Sequence, residues 1–234
     1  MGSGSNRNYF TDINGKKCDT IRVEIERLSQ NGLISDDQYF WLLASLINSI
    51  DKYANTASVY GAFLKCVKKS ASKDFMLEPL PLVDGDKDCK VYNEDVEKLI
   101  NKISGDILYL DPPYNARQYC SNYHLLETIA RYDSPNIHGK TGLRDNFSQK
   151  SKFCSVKTAA QSLESIIQNS DFKYIFLSYN NEGLIPVNLI REIMSKYGKY
   201  ELFSTDYKRF KADKDSNRKF KSTATTEYLH CLIK

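Results

Sequence analysis

Long apolar runs are missing from this chain. None approaches the about 20 residues that a membrane-spanning helix needs, and the N-terminus lacks the charged-then-apolar layout of a secretory signal. Paired cysteines are missing as well. The six cysteines, at 18, 66, 89, 120, 154 and 231, form no Cys-x-x-Cys, which argues against a zinc ribbon or a dithiol redox site. Reduced thiols in a cytoplasmic protein without a membrane partner are therefore expected. His124, His138 and His230 have no partners at ligand spacing, so no metal is expected. Charge of one sign is scarce too: 33 Lys and Arg against 29 Asp and Glu leave a net charge of +4, which by itself announces no polyanionic partner. Glycine is sparse, 11 residues in 234. The single Gly-x-Gly lies in Met1-Gly2-Ser3-Gly4-Ser5, which reads as an expression tag with residues 1–8 as a disordered lead.

What is present divides into two textures. From about residue 16 to 73 the pattern is helical. Ile21, Ile25 and Leu28 share one face, then Ser35-Asp36-Asp37 offers an N-cap before Tyr39, Leu42, Leu43, Leu46, Ile47 and Ile50. A helical region over 9–78 is expected, followed by an α/β region over 79–234. In the latter, Val91-Tyr92-Asn93 reads as a short strand, 95–103 as a helix, 107–110 as a strand and 122–132 as a helix. Further on, 155–169 and 186–197 read as helices, and 174–178, 200–207 and 226–233 as strands. The last two strands, joined by a basic loop, predict a terminal antiparallel pair on an otherwise parallel sheet.

The positive charge is clustered. Lys140, Arg144, Lys150, Lys152 and Lys157 populate one polar segment, and Lys208, Arg209, Lys211, Lys214, Arg218, Lys219 and Lys221 another. Both are rich in Gly, Ser, Asn and Asp, so they read either as solvated loops or as loops able to reach a phosphate backbone.

The most informative stretch is Asp111-Pro112-Pro113-Tyr114, which directly follows the apolar run Asp106-Ile107-Leu108-Tyr109-Leu110. That run predicts a buried parallel strand, and ligands of open α/β sheets bind outside strand carboxyl ends. The four residues can together hold an aromatic amine. Its lone pair is delocalised into the ring, and acceptors on its two N–H groups draw the nitrogen toward tetrahedral geometry. The Asp111 carboxylate and the Pro112 carbonyl can be those acceptors, while Tyr114 offers a stacking face. Proline suits both middle positions because it has no competing N–H and fixes the carbonyl direction. The plainer reading of the tetrapeptide is a strand-ending turn.

Further blocks accompany it: Arg117-Gln118-Tyr119, Ser121-Asn122-Tyr123-His124-Leu125-Leu126-Glu127, Phe176-Leu177-Ser178-Tyr179-Asn180-Asn181-Glu182-Gly183, Tyr207-Lys208-Arg209-Phe210 and Thr226-Glu227-Tyr228-Leu229. Together with Asp111-Pro112-Pro113-Tyr114-Asn115 and the stretch 54–65, they resemble the DNA adenine-N6 methyltransferases of bacterial restriction–modification systems, α group. The resemblance implies a Rossmann-like methyltransferase sheet, with the helical region as the target-recognition part. It also implies duplex DNA as substrate and S-adenosylmethionine as cofactor. By this resemblance Asp111, Pro112, Pro113 and Tyr114 hold a flipped adenine, and Asn115 supports the loop. Asn93, Glu94, Asp111 and Tyr123 lie beside the cofactor, and Lys140, Arg144, Lys150, Lys152, Lys208, Arg209 and Lys211 face DNA. For Asn93 and Glu94 a helix cap with an acidic first turn is the alternative, and for Tyr123 core packing. His124 reads as a packed histidine, because Asp111 already fills the acceptor role.

One family feature is not found: a glycine loop after a first strand, at which backbone N–H groups approach the cofactor. The sequence is therefore expected to be a partial form with an incomplete cofactor site and sheet, completed by an N-terminal portion or a homodimer. The other expectation is a DNA-binding or interaction module that retains the tetrapeptide without activity.

Overall fold

A computed structural model of the chain describes residues 6–83, 85, 88–208 and 224–234, with the side chains of Lys208 and Ala224 outside the description. The chain forms two compact units: residues up to 87 with Tyr119–Gln149, and Asp88–Gln118 with Lys150–Lys234.

The first unit is built on α1 (Asp12–Gln30) and α2 (Asp36–Tyr53). Thr11 caps α1 by accepting from the Asn14 amide. Ser35 caps α2, the expected N-cap, and the structure adds a reciprocal box with Gln38. Leu46 and Ile50 of α2 pack with Ile25, Tyr9, Phe10, Tyr60 and Leu125 in one apolar core. The helical pattern was expected to run on to residue 73, but α2 ends at Tyr53 and no described helix follows before residue 96. Two buried asparagines explain the departure by supplying alternative backbone partners. Asn55 donates to the carbonyls of Asn8 and Leu64 and accepts from the Lys68 amide. Asn14 likewise donates to Ala71 and Lys73 and accepts from Phe75.

The same unit holds α4 (Tyr119–Asn122), α5 (His124–Arg131) and a hairpin of β2 (Ile137–His138) and β3 (Leu143–Arg144). The single helix expected over 122–132 thus breaks at Tyr123. His124 is packed, as the sequence indicated: it is 1 % exposed and its Nε2 lies 3.0 Å from the Tyr60 carbonyl.

The second unit is a four-stranded sheet, in the order β1 (Ser104–Leu110), β4 (Asp171–Asn180), β6 (Ala224–Ile233), β5 (Lys199–Lys208). β1 runs parallel to β4, and β6 is antiparallel to both neighbours, which bears out the expected terminal antiparallel pair. α3 (Val96–Leu99), α6 (Ala159–Asn169) and α7 (Val187–Ser195) belong to this unit. Leu163, Ile166, Ile167, Ile190 and Ile193 join Leu110, Ile175, Leu177 and Leu232 in its core.

The expectation that β1 is buried is corrected. β1 lies at the sheet edge, and alternate residues point away from the core face, so Ile107 and Tyr109 are 60 % and 61 % exposed. Phe203 and Tyr207 of β5 are 56 % and 59 % exposed in the same way. The strand expected at 91–93 does not form either. Val91 is 93 % exposed, with no strand among the described residues to pair with it.

His230 of β6 is fully buried, with Nδ1 2.8 Å from the Tyr200 hydroxyl and no partner for Nε2 among the described residues. Burial, with the Arg191 charge nearby, pushes its pKa down to about 4. A histidine held neutral in the folded state but titrating near 6.5 when unfolded stabilises fully above pH about 6.5, and the contribution falls as pH drops toward about 4. His230→Gln is expected to flatten the dependence of the urea midpoint on pH in that window. An unchanged slope would show that the ring does not control it.

Candidate active site

Asp111 follows the last residue of β1, so the strand delivers the tetrapeptide at its carboxyl end. The Asp111 carboxylate is exposed and accepts no hydrogen bond from a described residue. Pro112 and Pro113 are half-buried and Tyr114 is 40 % exposed.

The loop behind these residues is fixed at several points within the same unit. The Leu184 amide donates to the Tyr114 carbonyl at 2.9 Å. Asn115 accepts from the Arg117 amide at 2.9 Å, an Asx-type turn that matches its expected supporting role. Gln118 exchanges two hydrogen bonds with the backbone of Ser151, and the Cys154 thiol donates to the Arg117 carbonyl. The Tyr114 ring stands nearly perpendicular to that of Tyr179, with centroids 6.4 Å apart.

Asn93 and Glu94 belong to the same unit, on the exposed segment before α3. The cap of α3 is Asp95, which accepts from the Glu97 amide, so neither Asn93 nor Glu94 is spent on that bond. Glu94 pairs with Lys102 at 2.5 Å. Tyr123 lies in the other unit, at the start of α5, with its ring 6.5 Å from Tyr60 and 5.9 Å from Tyr119.

The basic residues differ in what they can do. Lys140 is exposed between β2 and β3. Arg144 is buried and grips Asp133 with both Nη atoms, at 3.0 and 2.5 Å. That pair holds the Asp133 carboxyl below its ordinary range, so Arg144 braces the hairpin base and presents no open cation. Lys152 pairs with Glu97 at 2.5 Å. Lys150 is exposed, and Lys208 ends β5. Arg209 and Lys211 lie outside the described residues. The sequence reasoning missed Tyr179 and Gly183, although the block 176–183 contained them.

Among the described residues no group of His, Cys, Asp and Glu could hold a metal ion. No described helix is long and apolar enough to cross a membrane.

β1, on the parallel edge of an α/β sheet, is followed directly by Asp-Pro-Pro-Tyr, and the comparisons give the family to which such a chain belongs. Residues 2–193 match the family of D12 class N6 adenine-specific DNA methyltransferases, and the chain belongs to that family. It is 55 % identical over 234 residues to the Type II methyltransferase M.NlaIII of Neisseria lactamica, covering all of this chain and 70 % of that protein. It is 39 % identical over 234 residues to the Type II methyltransferase M.FokI of Planomicrobium okeanokoites, covering 99 % of this chain and 36 % of the relative. Modification methylase StsI of Streptococcus sanguinis is 37 % identical over 215 residues, 91 % of this chain and 33 % of its own length. The chain thus spans about a third of these last two relatives. No solved structure matches it.

Membership implies S-adenosylmethionine as methyl donor. Asn93, Glu94 and Asp111 are exposed polar residues of one unit, and no described glycine-rich turn joins a strand to a helix. Gly183, between β4 and α7, comes nearest to one, and the place its side chain would take is filled by the Tyr179 ring, 2.1 Å from an added Cβ.

Proposed function

We propose that this chain supplies the adenine-holding site of a restriction–modification N6-adenine DNA methyltransferase acting in the cytoplasm. The observation that carries the reading is Asp111, an exposed carboxylate with no partner among the described residues, just after β1 and in one loop with Tyr114, whose backbone is fixed by Leu184. With the adenine rotated out of the duplex, Tyr114 stacks on its ring, and Asp111 and the Pro112 carbonyl accept from the amino group. Both acceptors draw the nitrogen toward tetrahedral geometry, which takes its lone pair out of conjugation with the ring, and the hydrogen bond to Asp111 strengthens as positive charge builds on the nitrogen. S-adenosylmethionine supplies the methyl group, and Asn93 and Glu94 are proposed to flank it.

Polypeptide beyond this chain, or a second copy of it, is proposed to complete the cofactor cradle and cover Ile107 and Tyr109. Incubation with tritiated S-adenosylmethionine and duplex DNA, followed by mapping of N6-methyladenine, tests the reading. Label on adenine at one defined sequence is expected from the completed enzyme. Tight DNA binding with no label in any assembly would favour the DNA-binding module instead.

Lys140, Lys150 and Lys152, with Lys208, Arg209 and Lys211, are proposed to meet phosphates. Lys140→Ala is expected to weaken binding on all sequences alike and to lower the slope of log affinity on log salt by about one. Loss confined to one sequence would instead make Lys140 a base reader.

A further inference from the structure

Tyr114 is held by more than its own loop. Tyr179, near the end of β4, is 2 % exposed and stands nearly perpendicular to Tyr114. Its hydroxyl accepts from the Ile185 amide at 3.3 Å, and Ile185 is itself 2 % exposed. Between the two, Leu184 turns its amide onto the Tyr114 carbonyl at 2.9 Å. The chain from 179 to 185 therefore touches Tyr114 twice, once through the Tyr179 ring and once through the Leu184 backbone.

This arrangement needs glycine at 183. A Cβ there would fall 2.1 Å from Tyr179 Cε1 and 2.8 Å from Cδ1 and Cζ, far inside contact distance. The ring cannot yield cheaply, because it is packed in the core with Leu177 and Ile185. The loop is also tied from the other side. Asn181 donates its amide to the Thr226 carbonyl at 3.1 Å and accepts from the Thr226 amide at 3.2 Å, while Asn180 accepts from the Glu182 amide at 3.1 Å. With both ends anchored, strain at 183 can be relieved only by moving Tyr179 or the Leu184–Ile185 backbone. Either movement displaces Tyr114.

We propose that Tyr179 and Gly183 are positioning residues for methyl transfer, forming a clamp that presets the Tyr114 ring to receive the flipped adenine. The proposal rests on the reading of Tyr114 given above, and it assigns the clamp no contact with substrate. A preset ring matters because a stacking surface misplaced by a fraction of an ångström holds the amine off line from its acceptors.

The test uses the assembly that methylates DNA, its mapped target duplex, and the same duplex with 2-aminopurine at the target position, whose fluorescence reports the stacking of the base. Gly183→Ala is expected to lower kcat at least tenfold, change the KM for DNA less than threefold, and alter the 2-aminopurine emission in the direction that Tyr114→Ala alters it. Tyr179→Val keeps a strand-favouring residue but removes the ring edge, and is expected to lower kcat by a similar factor. In the Tyr179→Val background, Gly183→Ala is expected to cost less than twofold more, because the overlapping ring is gone. Multiplicative losses in the double variant, or a Gly183→Ala enzyme with parental kcat and emission, would overturn the clamp while leaving Tyr114 in its role. A Tyr114→Ala enzyme with parental kcat and emission would overturn both. Should Gly183→Ala fold poorly, the Tyr179→Val emission and its kcat-against-KM split decide the matter in the same way.

Discussion

Asp111→Asn is expected to lower turnover by about a hundredfold or more while leaving DNA binding in place. The carboxylate is exposed and its oxygens are taken by no described residue, so the substitution removes no bond that holds the loop together. The loop is fixed elsewhere, by Leu184 on the Tyr114 carbonyl, by Gln118 on Ser151, and by Asn115 on Arg117. What changes is the acceptor. An amide oxygen is neutral, and an amide that turns its NH2 toward the amine opposes it donor to donor. A hydrogen bond to the carboxylate strengthens as the amino nitrogen acquires positive charge, and the neutral replacement forfeits that difference in the transition state alone. A loss of about 3 kcal/mol there lowers kcat by more than a hundredfold. The measurement is single-turnover transfer of labelled methyl, alongside a direct titration of the DNA complex. A fall in affinity matching the fall in rate would mean that Asp111 holds the ground state equally, and near-parental turnover would remove it from the chemistry.

The legible part of the molecule was the part governed by short-range pattern. The apolar run before Asp111-Pro112-Pro113-Tyr114 identified a strand and the place where it stops, because prolines stop a ladder where they stand. Ser35-Asp36-Asp37 marked a helix start, since capping bonds span only three residues. The terminal antiparallel pair followed from two strands without an intervening helix. What pattern could not show was decided by distant partners. Asn14 and Asn55 replace helix with turns over 54–75 by bonding backbone groups up to 61 residues away. Arg144 looked like one cation in a basic loop, and only the fold brings Asp133 to both of its Nη atoms. Ile107 and Tyr109 looked like core because residues 107–110 form an unbroken apolar run, and such a run does not show whether a layer covers both faces. Gly183 stood in one of the quoted blocks without a role, since its value lies in a ring from the preceding strand that occupies the space of a missing methyl group.

Arg22→Ala is expected to be the most destabilising single change in the first unit. The guanidinium, with its side chain 3 % exposed, donates from Nε to the Ile129 carbonyl at 2.8 Å and from Nη2 to the Ala130 carbonyl at 3.2 Å. Those are among the last carbonyls of α5, where no helical partner remains and the helix dipole favours a cation. The chain then turns away through Tyr132 at φ 52°, and the Tyr132 ring lies 4.6 Å from the guanidinium carbon. Arg22 also donates to Tyr39 at 3.1 Å and to Glu26 at 2.9 Å, so one residue of α1 ties together α2 and the end of α5. Alanine would leave two carbonyls without their donor and a void where the fork was, and the expected loss is about 3 kcal/mol. Arg22→Lys keeps the charge but cannot reach both carbonyls and Glu26 at once, so an intermediate loss is expected. Urea unfolding measures both, read as a shift in midpoint at constant slope. The acid limb gives an independent check. The Arg22 hydrogen bond holds the Glu26 carboxyl below its ordinary range, so its stabilisation is complete above the unfolded-state pKa and is lost as pH falls through the lowered one. In Arg22→Ala that part of the acid dependence is expected to vanish, and a variant within about 0.5 kcal/mol of the parent would show that α5 ends as well without its cation.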